Sequence, residues 1–459
     1  NIYASFVRNI VYPLVILKNR SQELNYLKKF EKSQFLSLSE IRDMQLRKLK
    51  KLIEHAYQNC NYYRKLMDKI GMVPEDIKAL DDIIKFPILS KENIQENLDT
   101  MIASNLPAEC LIKDMTGGST GKPLIFYYDK SRLASRQAAT IRHYRWSGWD
   151  IGEKMGLTWG AVRDINNNKK NKWKPWLKNK FLNRLLILDT STITEEKLKD
   201  FIIQLKHFRP NIYRGYAKSM VLFARYVKDN NISGLTPKAI ITSAEVLEDY
   251  ERKFIESVFN CKVFNLYGCR EFAVIASECE VHEGLHVNAE NLLVEVVKDG
   301  KPAEKGETGE ILITDLENLT MPLIRYKIGD VGILSQRNCS CGRGLPLVEK
   351  LEGRVTDFIE TVEGLKISGI AIATYVITNI KGIRQVQFIQ EKLDSVTINI
   401  VKNHLFNSDT ERFLIQKFKD FIGTNKIRVA INYVNDIPNT TSGKYRFVIS
   451  KIDSREDIK

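Results

Sequence analysis

Ala239-Ile240-Ile241-Thr242-Ser243-Ala244-Glu245 and Lys262-Val263-Phe264-Asn265-Leu266-Tyr267-Gly268-Cys269-Arg270-Glu271 are two short apolar runs that each turn polar at their carboxyl ends. Between them, from about Glu248 to Val258, the spacing is that of a helix. Short β-branched runs bounded by turn residues read as buried strands, and strand, helix, strand reads as a βαβ unit with parallel pairing. Such a sheet keeps its ligand crevice at the carboxyl ends of its strands. That places Ser243-Ala244-Glu245 and Tyr267 to Glu271 where a ligand would bind.

Working outward, the alternation of helices and short strands extends back to Ile187. Further upstream, Thr116-Gly117-Gly118-Ser119-Thr120-Gly121-Lys122-Pro123 reads as a phosphate cradle. Its glycines allow main-chain N–H groups to approach an anion, Ser119 and Thr120 add hydroxyl donors, and Lys122 adds a positive charge. It is not a Walker A loop, which needs a glycine at Thr116 and a hydroxyl residue at Pro123. Leu124 to Tyr128 continues as a strand, and about Ser131 to Trp146 as a helix. Ser21 to Leu66 has helical spacing with few breakers, and Ser90 stands as a helix N-cap. After Val355 come strands near Phe358–Thr361, Val386–Gln390, Val396–Val401 and Lys426–Val434, with helices near Ile370–Thr378 and Asp409–Phe421. The fold class is α/β: a large multi-layer N-terminal domain with a parallel-rich sheet core, and a small α+β C-terminal lid domain.

At 459 residues with 43% hydrophobic and 27% charged side chains, the chain is a soluble globular protein of more than one domain. Its net charge of +14 attracts anions. The apolar run Ile10 to Leu17 contains Pro13 and is far short of the roughly 20 residues that cross a bilayer; it rests on a membrane surface or packs on the core. Residues 166–186 are basic without an acid and carry Trp173, Trp176 and Phe181. They form a solvated loop or a peripheral membrane contact; no nucleic-acid module accompanies them. Seven scattered cysteines argue against a disulfide framework and for a reducing, cytoplasmic setting.

Cys279-Glu280-Val281-His282 is C-x2-H and Cys339-Ser340-Cys341 is C-x-C. Thiolates and an imidazole at such spacings suit a structural tetrahedral zinc ion. His282 is the expected fourth ligand, ahead of His286, which lies in what reads as the start of a strand.

Taken together these segments resemble, in order and spacing, the phenylacetate-CoA ligase branch of the adenylate-forming superfamily, with its capsular-polysaccharide biosynthesis relatives. The resemblance covers about Phe86 to Arg446. It implies that Thr116 to Lys122 cradles the ATP phosphates, that Ser243-Ala244-Glu245 is the adenine-side turn, and that Tyr267-Gly268-Cys269-Arg270-Glu271 places Tyr267 near adenine with Glu271 on Mg²⁺. Arg270 departs from the hydroxyl residue usual there and supplies a fixed cation instead. Arg325-Tyr326-Lys327-Ile328-Gly329-Asp330 is similar to the motif whose aspartate, here Asp330, binds both ribose hydroxyls. Gly353 to Asp357 is similar to a hinge, with Arg354 reaching ribose or phosphate. Pro438 to Arg446 is similar to the motif whose lysine, here Lys444, carries adenylation. The implied domains are 1–352, with the zinc subregion near 279–341, a hinge at 353–357, and 358–459.

The implied activity is ATP- and Mg²⁺-dependent conversion of a carboxylic acid to an acyl-adenylate, followed by transfer to coenzyme A. Amide transfer to an amino sugar or amino acid in surface-polysaccharide assembly is the alternative, and a non-catalytic nucleotide-binding protein is another. Tyr144, Trp146, Trp159 and Tyr216 line an aromatic-acid pocket or belong to the core.

Overall fold

The structure, a computed structural model, describes residues 2–116, 123–159, 178–190, 195–245, 247, 249–298, 300–304, 306–351, 358–363, 366–368, 372, 376–377, 380–424, 426–437, 447–450 and 452. The two quoted runs are strands β6 (Ala239–Ser243) and β7 (Lys262–Cys269), joined by the helix Asp249–Phe259 and paired in parallel. Parallel pairing continues outward through β5 (Ile212–Tyr216), β3 (Met155–Trp159) and β4 (Leu185–Asp189).

On the other side of β7 the pairing turns antiparallel. There stand β8 (Ala273–Glu278), β9 (Leu285–Val287), β14 (Leu347–Leu351), β13 (Tyr326–Leu334), β12 (Gly309–Asp315), β10 (Leu292–Lys298) and β11 (Lys301–Pro302), completing one twelve-stranded sheet among the described residues. β7 is therefore where parallel sheet meets antiparallel sheet. The sequence reading anticipated the parallel half; in the antiparallel half it named only the start of a strand at His286.

Each half has its own cover. The parallel half is covered on one face by Glu195–Phe208, Ala217–Asp229 and Asp249–Phe259, which bury Phe201, Phe223, Phe259 and Ile240 together. On its other face Tyr144, Met155, Ile212, Ile241 and Phe264 pack under the helix Lys130–Trp146. The antiparallel half buries Ile275, Ile311 and Ile313 against Leu49, Leu52 and Ile53 of the helix Leu38–Asn59. Ser37 caps that helix in a capping box with Glu40, and Ser90 caps Lys91–Met101 by the same device with Asn93, as its sequence implied.

Lys130–Trp146 starts where Asp129 accepts the Arg132 backbone N–H at 2.7 Å. It crosses the sheet carrying three arginines on its buried side. Arg132 pairs with Asp315 at 2.8 Å and Arg142 with Glu290, all four side chains 1% exposed. Arg136 donates to the Arg270 carbonyl and lies 4.6 Å above the Tyr128 ring.

The N-terminal run is helical from Ile2 to Lys18, with a π-type turn at Val7–Val11 and Pro13 tolerated in the first turn of its last section. Ala4, Val7 and Ile16 are buried, while Ile2, Phe6, Ile10, Leu14 and Leu17 are exposed. Among the described residues no helix is long and apolar enough to cross a membrane.

The C-terminal part has a separate four-stranded sheet ordered β19 (Arg428–Tyr433), β18 (Ser395–Lys402), β17 (Ile383–Lys392), β20 (Val448–Ser450). The helix Ser408–Ile422 buries Leu414, Phe418 and Ile422 in a core with Phe388, Ile398 and Phe447. A short ribbon, β15 (Phe358–Glu360) with β16 (Lys366–Ser368), precedes it. The helix expected near 370–378 falls mostly outside the described residues.

Candidate active site

The carboxyl ends of the parallel strands align in one row. Trp159 on β3 and Tyr216 on β5 stand there, Tyr216 pairs in register with Ser243 on β6, and Ser243 pairs with Leu266 on β7. β6 ends in a tight turn in which Ala244 adopts φ +68°, a left-handed conformation that costs an L-residue energy and persists at constrained sites. Glu245 follows it, buried.

β7 ends in a bulge between Tyr267 and Gly268. A Cβ at Gly268 would lie 2.3 Å from the Ala273 carbonyl oxygen, so the turn back into β8 accepts only glycine there. This turn brings two motifs together crosswise. The Tyr267 hydroxyl donates to Asp330 at 2.9 Å, and the Tyr326 hydroxyl donates to Glu271 at 3.3 Å. Each of the two carboxylates that the sequence singled out is thus oriented by a tyrosine of the other's motif. Burial, and then the neighbouring Glu271 carboxylate, push the Cys269 thiol well up.

The phosphate-loop candidate springs from a hairpin of β1 (Ile112–Met115) and β2 (Ile125–Tyr128). Gly117, Gly118, Ser119, Thr120, Gly121 and Lys122 lie outside the described residues, but the root of the loop is fixed. The Thr116 N–H donates to Leu124, and the Leu124 N–H donates back to the Thr116 hydroxyl, both at 2.9 Å. Thr116 therefore closes the base of the loop. Arg270 reaches that base too, with its guanidinium 3.8 Å from Asp114 on β1. The cation that departs from the usual motif thus reaches from the β7–β8 turn towards the hairpin. Arg354 and Lys444 lie outside the described residues.

The four expected pocket aromatics separate. Trp146 belongs elsewhere, its indole against His143 and His286 and its N–H donated to Gln34. Tyr144 and Trp159 face the guanidinium of Arg214, a residue the sequence reading passed over. Trp159 and Tyr216 lie ring to ring at 4.4 Å.

In the antiparallel half, Cys279, His286, Cys339 and Cys341 bring their ligand atoms within 4.8 Å of one another. The Cys279 and Cys339 sulfurs are 3.6 Å apart, and the Cys341 sulfur is 3.4 Å from His286 Nε2. Sulfurs at about 2.3 Å from a tetrahedral ion stand about 3.8 Å apart, so this donor set fits zinc. His286 is the imidazole of the cluster, which corrects the expectation of His282. The chain turns after Cys279, with the His282 N–H on the Cys279 carbonyl and His282 at φ +61°, and this swings the His282 ring away to Glu278 at 3.1 Å. β9 instead delivers His286 to the thiols. Burial, and then the Arg343 charge, push the His286 imidazole down to about 4, so it is neutral and able to ligate.

A family model described as the CapK C-terminal domain matches residues 359–451. Protein CapK of Staphylococcus aureus is 29% identical over 417 residues, covering 89% of each chain. Phenylacetate-coenzyme A ligase of Escherichia coli is 25% identical over 334 residues, covering 70% of this chain and 73% of its own. The chain is thus similar to CapK along most of its length and to phenylacetate-CoA ligases over about 70% of it. Among solved structures, a 2-hydroxyisobutyryl-CoA ligase in complex with 2-HIB-AMP and CoA shares the fold, with a TM-score of 0.63 and 18% identity over 92% of this chain and 91% of that one. The α/β architecture with its separate C-terminal sheet and helix matches that acyl-CoA ligase fold.

Proposed function

We propose that this chain is an ATP-dependent acid–CoA ligase. The observation that carries the reading is the crosswise pairing of Tyr267 with Asp330 and Tyr326 with Glu271, which brings two family motifs together at the carboxyl end of β7. The named relatives that are phenylacetate-CoA ligases support it.

In this reading Asp330 accepts hydrogen bonds from the ribose hydroxyls, since a carboxylate suits a diol. The Thr116–Lys122 loop holds the phosphates. Mg²⁺, when bound, would be held by Glu271 and would neutralise phosphate charge. The acid's carboxylate attacks the α-phosphorus, pyrophosphate leaves, and the acyl-adenylate then yields its acyl group to the acceptor thiol while AMP leaves. Both partners of the first step are anionic, so a cation is required at the bridging oxygen; we assign this to Lys444, with Arg354 on ribose or phosphate. The domain division at 353–357 belongs to the same proposal. Zinc, when bound, would be held by Cys279, His286, Cys339 and Cys341 and would tie β8 and β9 to the loop before β14.

Acid-dependent exchange of labelled pyrophosphate into ATP tests the reading. Exchange with at least one acid of a broad panel is expected, and Lys444→Ala should lower it by about 10²–10³. ATP-binding protein that exchanges with no acid would sink the ligase reading. Amine transfer is the second reading, favoured by Arg270 in place of the usual hydroxyl residue. Thioester formation with added coenzyme A supports the first acceptor, and adenylate that persists in its presence supports the second.

The exposed N-terminal stripe supports a further part of the proposal, contact with an anionic membrane surface. Phe181 is exposed beside it, and the Tyr3 hydroxyl donates to the Phe181 carbonyl.

A further inference from the structure

Among the described residues, Arg214 differs from the enclosed arginines Arg132, Arg136, Arg142 and Arg325: Arg136 donates to the Arg270 carbonyl, and the other three are ion-paired. Arg132, Arg142 and Arg325 each face a carboxylate: Asp315, Glu290 and Glu295. Arg214 is half-buried in the sheet, in register between Leu157 of β3 and Ile241 of β6. Its guanidinium lies 4.6 Å from the Trp159 ring and 5.3 Å from the Tyr144 ring. Its Nε is buried without a hydrogen-bond partner, and among the described residues no carboxylate lies within ion-pair distance of it.

Two aromatic faces stabilise a cation through their π-electrons but do not accept its in-plane N–H bonds. Burying a guanidinium N–H without an acceptor, as at Arg214 Nε, is unfavourable, and the fork of Arg is shaped for two parallel bonds to a carboxylate or similar oxyanion. A ligand anion would complete this site. Its place in the fold says which ligand. Arg214 shares a face of β5 with Tyr216, because side chains alternate along a strand, and Tyr216 belongs to the row of strand ends that forms the candidate active site. Two residues along a strand is about 6.6 Å. Arg214 thus lies one pleat deeper than the reacting end of the site, behind the Trp159 and Tyr216 rings.

From this we infer that Arg214 is a specificity-determining residue, and that the acid activated by this chain carries a second anionic group, a carboxylate or comparable oxyanion, at the end remote from the reacting carboxylate. The inference rests on the ligase reading above for the position of the reacting end, but the anion site itself does not.

The experiment uses the full chain and acids in pairs: monocarboxylic acids, aliphatic and aromatic, each beside the same skeleton bearing a second carboxylate. The ratio of kcat/KM for diacid over monoacid in pyrophosphate exchange is the readout. Wild type should favour the diacid by about 100-fold, as expected where a buried polar group is left unpaired by the wrong substrate. Arg214→Met should lower that ratio by about 100-fold, and Arg214→Lys, which keeps charge without the fork, should fall between. A wild type that prefers monoacids, or a ratio that Arg214→Met leaves unchanged, overturns the inference. Calorimetric titration of the same diacids into wild type and Arg214→Met needs no turnover. Diacid binding that is lost in the variant, with no exchange from any acid, would reject the ligase reading and keep the anion site. Absence of diacid binding to wild type, together with exchange supported by monoacids, would reject the anion site and keep the ligase. If Arg214→Met fails to fold, shown by its near-ultraviolet circular dichroism, Arg214→Lys and Arg214→Gln carry the comparison.

Discussion

Three thiols and one imidazole converge from four points of the chain, and the arrangement explains itself atom by atom. Arg343 supports it from outside: its backbone N–H points at the Cys341 sulfur at 3.4 Å and its side chain pairs with Glu280 at 3.0 Å. Against its own desolvation, Cys341 is held below its ordinary thiol range by these groups. We expect about one equivalent of zinc per purified chain. Cys341→Ala and His286→Ala should each lose the metal, whereas His282→Ala should keep it; metal retained in His286→Ala and lost in His282→Ala would reverse the assignment. The three thiols were legible from spacing alone. The imidazole was not, because C-x2-H describes a chelating loop only when the turn keeps both side chains on one side, and the left-handed backbone at His282 does not.

At the scale of elements, the helix Lys130–Trp146 shows what a pattern hides. Its existence and its ends read well from the sequence, but nothing there marked its arginines as buried. Arg132 is 1% exposed and Asp315 opposite it is equally buried, with burial pushing the Asp315 carboxyl up despite the guanidinium beside it. The partners are far apart in sequence, so no local spacing signals the pair. A buried pair of this kind contributes little net stability as a pair, but breaking it strands a charge. Arg132→Met should destabilise the fold by about 3–5 kcal/mol, read from the urea midpoint at constant slope, and Asp315→Leu added to it should recover part of that loss. An unchanged midpoint for Arg132→Met would mean that Asp315 finds another partner. The strands behave in the opposite way. β6 and β7 were legible because both faces are buried in a parallel sheet, giving continuous apolar runs, whereas β8 to β14 mix short strands with turns and carry polar residues inside.

Over the whole molecule, charge and apolar exposure meet on one surface. Ile2, Phe6, Ile10 and Leu14 recur every fourth residue along the N-terminal helical run, and Leu17 follows three later, so they share one stripe. Ile2 is 92% and Leu17 74% exposed. The opposite edge is anchored by Val7 and Ile16 in the core, and Tyr3 is clasped by Phe181 and by Arg184 over its ring at 4.6 Å. The stripe is therefore held in place rather than fraying, next to Lys178 and Lys180 at the end of the basic stretch 166–186. An amphipathic helix with basic flanks binds at a lipid interface by burying its apolar edge while its cations meet anionic headgroups. Full-length protein should co-sediment with vesicles containing anionic lipid and much less with zwitterionic ones, the difference shrinking as salt rises. Each apolar side chain buried is worth about 1.5–3 kcal/mol, so Phe6→Glu with Leu14→Glu should weaken binding by at least about tenfold. Equal sedimentation of this double variant and wild type would place the contact elsewhere, and a shift from dimer to monomer in the variant, without any lipid binding by wild type, would assign the stripe to a second copy of the chain instead.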